Sequence, residues 1–290
     1  MAASVSAVMV TYATGPALFR AIESLLGEPE LGELILVDNG NPASTRARIR
    51  ELAAAEPRLR HRITGRNLGF AAAANRGARE ARQERLLLFN PDAALPPGGL
   101  ARLLAEADAL PRPWLLGCRV VNEDGSEQRG SRRDALTPET AFAELRRSLG
   151  GRPSHVFNRH ADALPDATQP MATVSGACML IPTADYRALG GLDERFFLHA
   201  EDVDLCLAVR RAGGGVYFVP SVAVIHRQGS SAAPALWVKW HKTRSLGRYF
   251  RKHFAESHGV LLVNLLVLGL WCRFLLRAPG LAFRAPSPAA

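Results

Sequence analysis

The amino-acid sequence predicts an α/β fold in which a mixed, mostly parallel central sheet carries helices on both faces. The chain has 290 residues, of which 48% are hydrophobic and 22% charged, and this is enough to bury a full core. Short continuous apolar runs alternate with segments whose apolar residues have helical spacing, as in βαβ units. Polar residues directly follow two of these runs, and such sheets bind ligands at the carboxyl ends of their strands.

The secondary-structure elements follow from this pattern along the chain. In the first half, apolar runs predict strands over residues 7–10, 34–37 and 86–89, and helical spacing predicts helices over 16–26, 75–85 and 100–110. In the second half, the same criteria predict strands over 174–181, 216–219 and 222–225, and helices over 138–149, 185–189 and 198–210.

Charge and cysteine content limit the classes of partner and compartment. Lys and Arg number 36 against 27 Asp and Glu, a formal charge of +9, which favours nucleotides, diphosphates, nucleic acid or an anionic membrane surface. The four cysteines form no C-x-x-C pair, so neither a disulfide framework nor a structural zinc site is indicated. Residues 1–10 lack the basic region of a signal peptide. We therefore expect a cytoplasmic protein.

Acidic residues follow two predicted strands of the first half. Asp38 comes directly after the strand over 34–37, and Asn90-Pro91-Asp92 follows the strand over 86–89. Asp38 alone fits an Asx-turn or a helix cap equally well. Two acidic residues at the same edge of the sheet favour a ligand site instead. Between them, residues 67–77 lead through very small side chains into a helix, which suits either an anionic ligand or tight helix packing.

The second half contains a denser group of polar residues. Glu201, Asp202 and Asp204 lie within four positions at the start of an amphipathic helix. The helix dipole stabilises such carboxylates, but capping needs only one, and the others can supply a general base for a hydroxyl nucleophile. His226 ends a strand before a Gly/Ser-rich turn, where it can bind a metal ion or a diphosphate, although a lone histidine is more often structural.

The region over residues 111–169 is less regular. Its basic turn over residues 129–133 suits an acceptor-side loop whose arginines meet phosphate, although a run of charges is more often a solvated face. We assign it no chemistry.

Taken in order, these residues resemble the family 2 inverting glycosyltransferases of the GT-A fold, in particular the rhamnosyltransferase-like branch. The matching segments are Val10-Thr11-Tyr12, Val37-Asp38-Asn39, Asn67-Leu68-Gly69-Phe70 with Asn75 and Gly77, Phe89-Asn90-Pro91-Asp92, Ser175-Gly176-Ala177, Phe196-Phe197 with Glu201-Asp202-Val203-Asp204-Leu205, and His226 with Gly229 and Ser230. Each segment is weak by itself, and their common order indicates the family. The resemblance predicts a GT-A domain over residues 1–235 and a C-terminal helical tail over 236–290.

The resemblance implies a role for each matching residue. The nucleotide-sugar donor would contact Thr11, Tyr12, Asp38, Asn67, Gly69, Phe70, Asn75, Asn90, Asp92, Ser175 and Gly176. Asp92 and His226 would hold Mg²⁺ or Mn²⁺ against the diphosphate. Asp202, with Glu201 beside it, would deprotonate the acceptor hydroxyl, which attacks the anomeric carbon directly and inverts its configuration.

Two departures from the family pattern affect these expectations. The metal motif has Asn90 in place of a first acid, which leaves fewer ligands and makes weak or optional metal binding the expectation. The segment after Tyr12 lacks the asparagine often found there. The branch resemblance implies dTDP-L-rhamnose as the leading donor, with UDP- and GDP-sugars as alternatives.

The C-terminal tail combines basic and aromatic residues with the apolar segment over 260–272. About 13 uncharged residues are too few to span a bilayer, which takes roughly 20, so we expect contact with the membrane surface. Such a tail suits a polyprenyl-diphosphate-linked glycan acceptor at the inner face of the cell membrane. The alternative is a helix that packs on the domain or on a second subunit of a homodimer.

Three other functions fit parts of the sequence. A nucleotidyltransferase would carry a basic Gly-rich loop after the first strand, and residues 13–16 lack the basic residues. A nucleic-acid-binding module would explain the charge, but the basic residues are spread out and no recognised nucleic-acid motif occurs, so we expect no nucleic acid partner. An inactive scaffold would not need Asp38, Asp92, Asp202 and His226 together.

Overall fold

A mixed nine-stranded sheet forms the centre of the computed structural model, which describes residues 4–148, 157–227 and 233–282. The strands are β1 (Val5–Thr11), β2 (Leu31–Asp38), β3 (Leu59–Ile63), β4 (Arg85–Phe89), β5 (Ala93–Ala94), β6 (Trp114–Val121), β7 (Arg132–Arg133), β8 (Gln169–Pro170), β9 (Thr173–Val174), β10 (Cys178–Pro182) and β11 (Gly215–His226). The helices are α1 (Ala17–Leu26), α2 (Ala43–Ala55), α3 (Phe70–Arg79), α4 (Gly99–Ala107), α5 (Pro138–Ser148), α6 (Thr183–Ala188), α7 (Glu201–Arg211), α8 (Ala235–His258) and α9 (Val260–Ala282).

The first half of the sheet is parallel, as the sequence predicts. The order of the main sheet is β3-β2-β1-β4-β10-β6-β11-β5, β8 pairs with β11, and β7 pairs with β9 separately. β1 is buried along its whole length between the parallel strands β2 and β4. The register pairs Thr11 with Asp38 and Met9 with Phe89. The polar residues that end or follow these strands therefore emerge at one edge, and the predicted α/β class is confirmed.

The predicted strand over 174–181 is interrupted in the structure. β9 ends at Val174 and β10 begins at Cys178, so the small residues between them form a loop at the polar edge of the sheet. A hydrogen bond joins this loop to the segment after β4, since the Asn90 N–H donates to the Ala177 carbonyl at 3.0 Å. Small residues permit this close approach of backbones. The loop therefore lies beside the segment that carries Asp92.

Two predicted strands near residue 220 form a single strand. β11 runs through both apolar runs, and its pairing with β6 shifts register between Val219 and Ala223. Pro220 lies in this interval and has no N–H to donate to a ladder, so an irregularity at this point is expected. β11 continues to His226, which it delivers to the same edge of the sheet as β4.

The helix predicted over 75–85 begins and ends earlier than the sequence pattern indicated. α3 starts at Phe70, and its alanine run supplies the buried first turns against the sheet. It ends at Arg79: the Glu80 and Ala81 N–H groups bond to carbonyls three residues back, and beyond them the Arg82 N–H donates to Glu33 Oε1 at 2.7 Å and the Gln83 N–H to Ser6 Oγ at 3.0 Å. Because α3 starts at Phe70, the loop over 67–69 leads directly into its N-terminus.

The two C-terminal helices pack antiparallel on the domain. The turn is made by Gly259 at φ +84°, and Trp240 of α8 lies beside Trp271 of α9 with 6.4 Å between ring centroids. Their facing sides share a hydrophobic cluster with Phe196 and Val203, at the start of α7. The tail thus supports the segment that carries Glu201 and Asp202, as the packing alternative predicted.

α9 is longer than the uncharged segment that the sequence analysis considered. The expectation that it is too short to span a bilayer is wrong on length, because residues Val260–Gly280 form a helix long and apolar enough to cross a membrane, with 22% of its most apolar part buried. The helix passes through Arg273 instead of ending there. Core helices of soluble proteins share this length and composition, so the observation alone assigns no span. The outward face is apolar, and Leu261 and Leu276 are 75% and 76% exposed.

Candidate active site

The candidate site is a crevice at the polar edge of the sheet. One side consists of the ends of β1 and β2 and the loop that leads into α3. The other side consists of the start of α7, the short strand β7 and the first turns of α8. The segment that carries Asp92, the end of β11 and the loop over 175–177 lie between them. The structure therefore brings most of the predicted residues to one region, in two groups with different chemistry.

Asp38 makes a turn with one carboxylate oxygen and faces a histidine with the other. Oδ1 accepts hydrogen bonds from the Gly40 N–H at 3.0 Å, the Asn41 N–H at 2.9 Å and Asn41 Nδ2 at 3.0 Å. Oδ2 lies 3.4 Å from Nε2 of His61. Burial would raise the pKa of Asp38, but His61 and the turn hydrogen bonds lower it overall. The Asx-turn alternative therefore holds for Oδ1, and the carboxylate is ionised at neutral pH.

Asn39, which sequence reasoning did not single out as a site residue, fixes the neighbouring loop. Its Nδ2 donates to Asn67 Oδ1 at 2.9 Å, and its Oδ1 accepts from the Leu68 N–H at 2.9 Å. Asn67 Oδ1 in turn accepts from the Gly69 N–H at 2.9 Å. Asn67 thus shapes the loop through its side-chain oxygen. The position of Asn39, directly after Asp38 at a strand end, was the available signal.

Gly69 and Phe70 connect the two sides of the crevice. Gly69 has φ +83°, and a Cβ atom there would lie 2.6 Å from the carbonyl oxygen of Phe197. The Phe70 N–H donates to the same carbonyl at 2.7 Å. Only glycine combines this φ with this close approach. The loop over 67–70 is therefore bonded to the segment that leads to the acidic pair.

Thr11 and Tyr12 occupy different environments although they are adjacent. Thr11 is fully buried, and its hydroxyl lies 3.0 Å from that of Thr14 and donates to Asn41 Oδ1 at 3.2 Å. Tyr12 is 38% exposed, and its ring packs against Gly40. Tyr12 therefore offers an aromatic surface to a ligand, whereas Thr11 supports the turn from within.

Asn75 makes its hydrogen bonds inside the protein. Its Nδ2 donates to the Leu192 carbonyl at 2.7 Å, and its Oδ1 accepts from the Tyr186 hydroxyl at 2.6 Å and the Leu192 N–H at 3.0 Å. The residue is 7% exposed. Asn75 thus joins α3 to the segment after α6, and the structure does not place it among the side chains that face the crevice.

Asp92 and His226 form a close pair at the junction of two strands. β5 pairs with the end of β11 so that His226 lies opposite Ala93, and His226 Nε2 is 3.1 Å from Asp92 Oδ1. Asn90 Nδ2 lies 3.2 Å from the same ring nitrogen. Gly229 and Ser230, which the resemblance associates with His226, lie outside the described residues.

Asp92 and His226 can supply two ligands of a metal ion. Within the described residues no group of three or more His, Cys, Asp or Glu side chains could hold a metal ion. A divalent cation that bridges phosphates keeps most positions for the ligand and water, and one or two protein ligands are enough. The carboxylate suits Mg²⁺ or Mn²⁺, and the imidazole, a ligand typical of transition metals, favours Mn²⁺ of the two. The residues therefore fit a cation that depends on a diphosphate for its remaining ligands.

Gln128 orients the imidazole of His226 and was missed by sequence reasoning. Its Nε2 donates to the His226 carbonyl at 2.5 Å and to Asn122 Oδ1 at 2.9 Å, so its Oε1 is the atom that faces His226 Nδ1 at 3.0 Å. An Nδ1–H bond to Gln128 leaves the Nε2 lone pair directed at Asp92 and Asn90. The two residues are 98 positions apart, and no local signal connects them.

The acidic pair begins α7 after a strained turn. His199 and Ala200 have φ of +67° and +70°, a region that non-glycine residues seldom adopt. Asp202 Oδ2 accepts from Arg133 Nη2 at 2.5 Å and from the Gly176 N–H at 3.4 Å, and its Oδ1 accepts from the Val203 N–H at 2.9 Å. Strained non-glycine residues such as these two cluster at functional sites.

The two carboxyl groups have opposite pKa shifts. Burial would raise the pKa of Asp202, but Arg133 lowers it overall. Burial and the negative charge of Asp202 raise the pKa of Glu201 to about 8. Two neighbouring acids held in different protonation states are a common arrangement in catalytic sites.

Ser175 and Gly176 lie at the centre of the site, whereas Asp204 lies outside it. Ser175 and Gly176 lie between the two sides, since the Ser175 N–H donates to the Ser131 carbonyl at 3.1 Å and a Cβ at Gly176 would lie 3.1 Å from Asp202 Cβ. Asp204 faces away from the crevice, where Lys252 donates to it at 2.8 Å and His253 lies 2.6 Å from it. Arg133 is the principal site residue to which the sequence analysis assigned no chemistry.

Comparison with known proteins identifies the family. Residues 6–172 match the model of glycosyl transferase family 2. The chain belongs to this family. It is also 30% identical over 267 residues to an N-acetylglucosaminyl-diphospho-decaprenol L-rhamnosyltransferase of Mycobacterium tuberculosis, an alignment that covers 87% of this chain and 80% of the relative. The chain is therefore a rhamnosyltransferase-like glycosyltransferase, and this replaces the nucleotidyltransferase and nucleic-acid-binding alternatives.

Solved structures agree with the GT-A fold. GalNAc-T7 with UDP, GalNAc and Mn²⁺ superposes with a TM-score of 0.63 at 17% identity, covering 86% of this chain and 48% of that chain. The mannosyltransferase PcManGT from Pyrobaculum calidifontis with GDP-Man and Mn²⁺ has a TM-score of 0.60 at 16% identity, covering 97% and 74%. This chain spans about half the length of GalNAc-T7. At these identities the similarity supports the fold, and both neighbours were solved with a sugar or nucleotide sugar and Mn²⁺.

Proposed function

We propose that the protein transfers L-rhamnose from dTDP-L-rhamnose to a hydroxyl group of a polyprenyl-diphosphate-linked glycan, with inversion at the anomeric carbon. The observation that carries this proposal is the crevice in which the Asp92–His226 pair and the Asp202 carboxylate flank the loop over 175–177. The sugar and the class of acceptor rest on the M. tuberculosis relative, whose name states the rhamnosyl group and the diphospho-decaprenol, and the dTDP carrier rests on the resemblance to the rhamnosyltransferase-like branch. UDP- and GDP-sugars are the alternative donors.

In the proposed reaction, Asp202 acts as the general base. An acceptor hydroxyl oxygen attacks the anomeric carbon, the bond from that carbon to the diphosphate breaks, and the hydroxyl proton passes to the Asp202 carboxylate. Arg133 and the Val203 N–H hold that carboxylate in place. Because the attack is direct, the reaction needs no covalent intermediate on the enzyme. Glu201, with its raised pKa, keeps a second negative charge away from the nucleophile below about pH 8.

The leaving diphosphate lies at the other side in this proposal. Asp92 and His226 would hold Mg²⁺ or Mn²⁺, which supplies positive charge to stabilise the departing diphosphate. Gln128 keeps Nε2 of His226 available on that side. Tyr12 would contact the base, Asp38, which is 1% exposed, would hold the turn against which Tyr12 packs, and the loop over 67–70 would lie over the nucleotide.

A thermal-shift panel tests the donor assignment. The melting temperature is measured with dTDP, UDP, GDP and CDP, each with and without Mn²⁺ or Mg²⁺. A ligand at about 100 times its Kd adds about 2.7 kcal/mol to the free energy of unfolding. We expect the largest shift with dTDP plus metal. A shift with UDP or GDP alone would replace the donor, and the absence of any shift with folded protein would contradict the proposal.

We also propose that the outward face of α9 contacts the inner surface of the cell membrane. Leu268 and Leu275 are 58% and 62% exposed, and the basic start of α8 lies beside the same half of α9. Exposed apolar residues next to basic and aromatic ones are typical of interfacial helices. A protein in this position would meet a lipid-linked acceptor at the cytoplasmic face of the membrane.

This contact is tested by substitution, because α9 also buries Val263 and Leu266 and its deletion would expose the core. The double variant Leu268→Glu, Leu275→Glu should lose sedimentation with anionic liposomes. Ile63→Glu, at a 46% exposed position at the end of β3, is the matched control and should sediment as the wild type does. Unchanged sedimentation of the double variant, or its conversion from dimer to monomer in light scattering, would assign the face to a second subunit or to no partner.

A further inference from the structure

Four basic side chains border the acidic start of α7, and we call Arg129, Arg133, Lys239 and Lys242 the basic cluster. Arg133 lies on β7 and donates to Asp202, and Lys239 and Lys242 lie in the first turns of α8. Burial lowers the pKa of His199, immediately before this start, to about 3, and the charge of Lys242 is the next cause. The side chains from three segments are therefore close enough to act on one another.

The charges in the basic cluster repel one another. Lys242 is exposed, and desolvation by the surrounding protein together with the charges of Lys239 and Arg133 lowers its pKa to about 8. Asp202 is the ionised acid that this cation faces, and Asp202 already accepts a hydrogen bond from Arg133. Arg129 is paired with Glu144 at 2.8 Å and Arg133 with Asp202 at 2.5 Å, so an anion would relieve the repulsion chiefly at Lys242.

The basic cluster lies between the acidic pair and the apolar face of α9. Phe197 stacks on His241 of α8 at 4.4 Å, Trp240 contacts His241 at 4.8 Å, and Trp240 contacts Trp271 of α9 at 6.4 Å between centroids. The first turns of α8 thus connect the segment before Glu201 to the C-terminal half of α9. The acidic pair, the basic cluster and the apolar face of α9 therefore follow one another in this order. A ligand that consists of a sugar, an anionic linking group and an apolar tail matches them.

We propose that the basic cluster binds the diphosphate of a lipid-linked acceptor, with the sugar at Asp202 and the lipid along α9. The inference rests on the proposed function and adds a second diphosphate site, distinct from that of the donor at Asp92 and His226. The loop over 175–177 separates the two, because Ala177 bonds to Asn90 on one side and Gly176 to Asp202 on the other. The anomeric carbon and the acceptor hydroxyl would meet above this loop.

A binding measurement tests the site without turnover. Farnesyl diphosphate is titrated calorimetrically into the full chain in EDTA, which excludes binding through a divalent cation. Lys242→Gln should weaken binding about tenfold or more, which corresponds to about 1.4 kcal/mol, and Lys242→Arg should restore most of it. Arg20→Gln removes one positive charge from an exposed position on α1 and should leave the affinity unchanged. Equal affinities for Lys242→Gln and the wild type would overturn the proposal.

Kinetics distinguish the acceptor diphosphate from that of the donor. Lys242→Gln should raise KM about tenfold for a diphosphate-linked acceptor and leave unchanged both the KM for the nucleotide sugar and the KM for a neutral alkyl glycoside of the same sugar. A rise in the donor KM alone would assign the cluster to the donor and overturn the inference. If the wild type binds farnesyl diphosphate through Lys242 but transfers no sugar to any diphosphate-linked acceptor, the site stands and the proposed function fails.

Discussion

The donor side and the acceptor side of the crevice satisfy their polar groups in different ways. On the donor side, Asn39 and Asn67 join two neighbouring loops by short hydrogen bonds and Asp38 Oδ1 holds a turn, while among the described residues Asp38 Oδ2 has no hydrogen-bond partner and lies 3.4 Å from His61 Nε2. On the acceptor side, Glu201 Oε2 has no hydrogen-bond partner among the described residues, and the turn before it is strained. Hydrogen-bonded loops give a preformed binding surface, whereas consecutive strained residues and opposite pKa shifts in adjacent carboxyl groups are typical of groups that react. This difference supports the proposal that one side binds the donor and the other transfers the proton.

The most severe test of this comparison is removal of the base. Asp202→Asn keeps the shape of the side chain and should lower kcat by a factor of about 10² to 10⁴, the usual contribution of a general base. The donor side is untouched, so the Kd for the nucleotide sugar should stay within about twofold. Single-turnover kinetics and calorimetry measure the two quantities. Parallel loss of binding and activity would give Asp202 a structural role and remove the division between the sides.

The second test addresses the residue that orients His226. Gln128→Leu removes the acceptor of the Nδ1–H bond and should weaken Mn²⁺ binding in the presence of dTDP by about 10- to 100-fold, as loss of an outer hydrogen bond to a metal ligand does. Electron paramagnetic resonance of free Mn²⁺ measures it. Gln128→Glu retains an acceptor oxygen and should keep most of the affinity. If both variants bind as the wild type does, Gln128 has no part in the metal site.

The third test breaks the connection between the two sides. Gly69→Ala places a Cβ 2.6 Å from the Phe197 carbonyl at φ +83°, and we expect a loss of about 1–3 kcal/mol in the free energy of unfolding. Gly65→Ala is the matched control, because Gly65 has φ +81° with no atom within 4 Å of a Cβ. Urea denaturation gives both values. Equal losses would mean that backbone strain accounts for the effect and that the contact with Phe197 contributes nothing.

The same contrast explains what could be predicted from the sequence. The parallel strands and the emergence of Asp38 and Asp92 at one edge follow from local patterns, since apolar runs set the strands and topology sets the edge. The pairings of Arg133 with Asp202 and of Gln128 with His226 join residues 69 and 98 positions apart. Such contacts depend on tertiary packing. The length of α9 was misjudged because the arginines near its end do not stop the helix.

The last test concerns the pH dependence of stability. The pKa of Glu201 is about 8 in the folded state against a usual value of 4.5, so between these values the folded protein holds a proton that the unfolded chain releases. The free energy of unfolding therefore falls as pH rises through this window. Glu201→Gln cannot titrate, so its stability should match that of the wild type near pH 4.5 and exceed it increasingly up to pH 8.

The size of this effect follows from the shift itself. One unit of pKa difference corresponds to about 1.4 kcal/mol. Because the shift of Glu201 exceeds one unit, the variant should be more stable than the wild type by at least that amount at pH 8.5. Thermal unfolding across this range measures it, with Glu256→Gln at an exposed position of α8 as the control that should show no such divergence. Parallel curves for Glu201→Gln and the wild type would mean that Glu201 is already ionised at neutral pH. The acceptor side would then carry two adjacent negative charges, and Arg133 with the rest of the basic cluster would have to stabilise both.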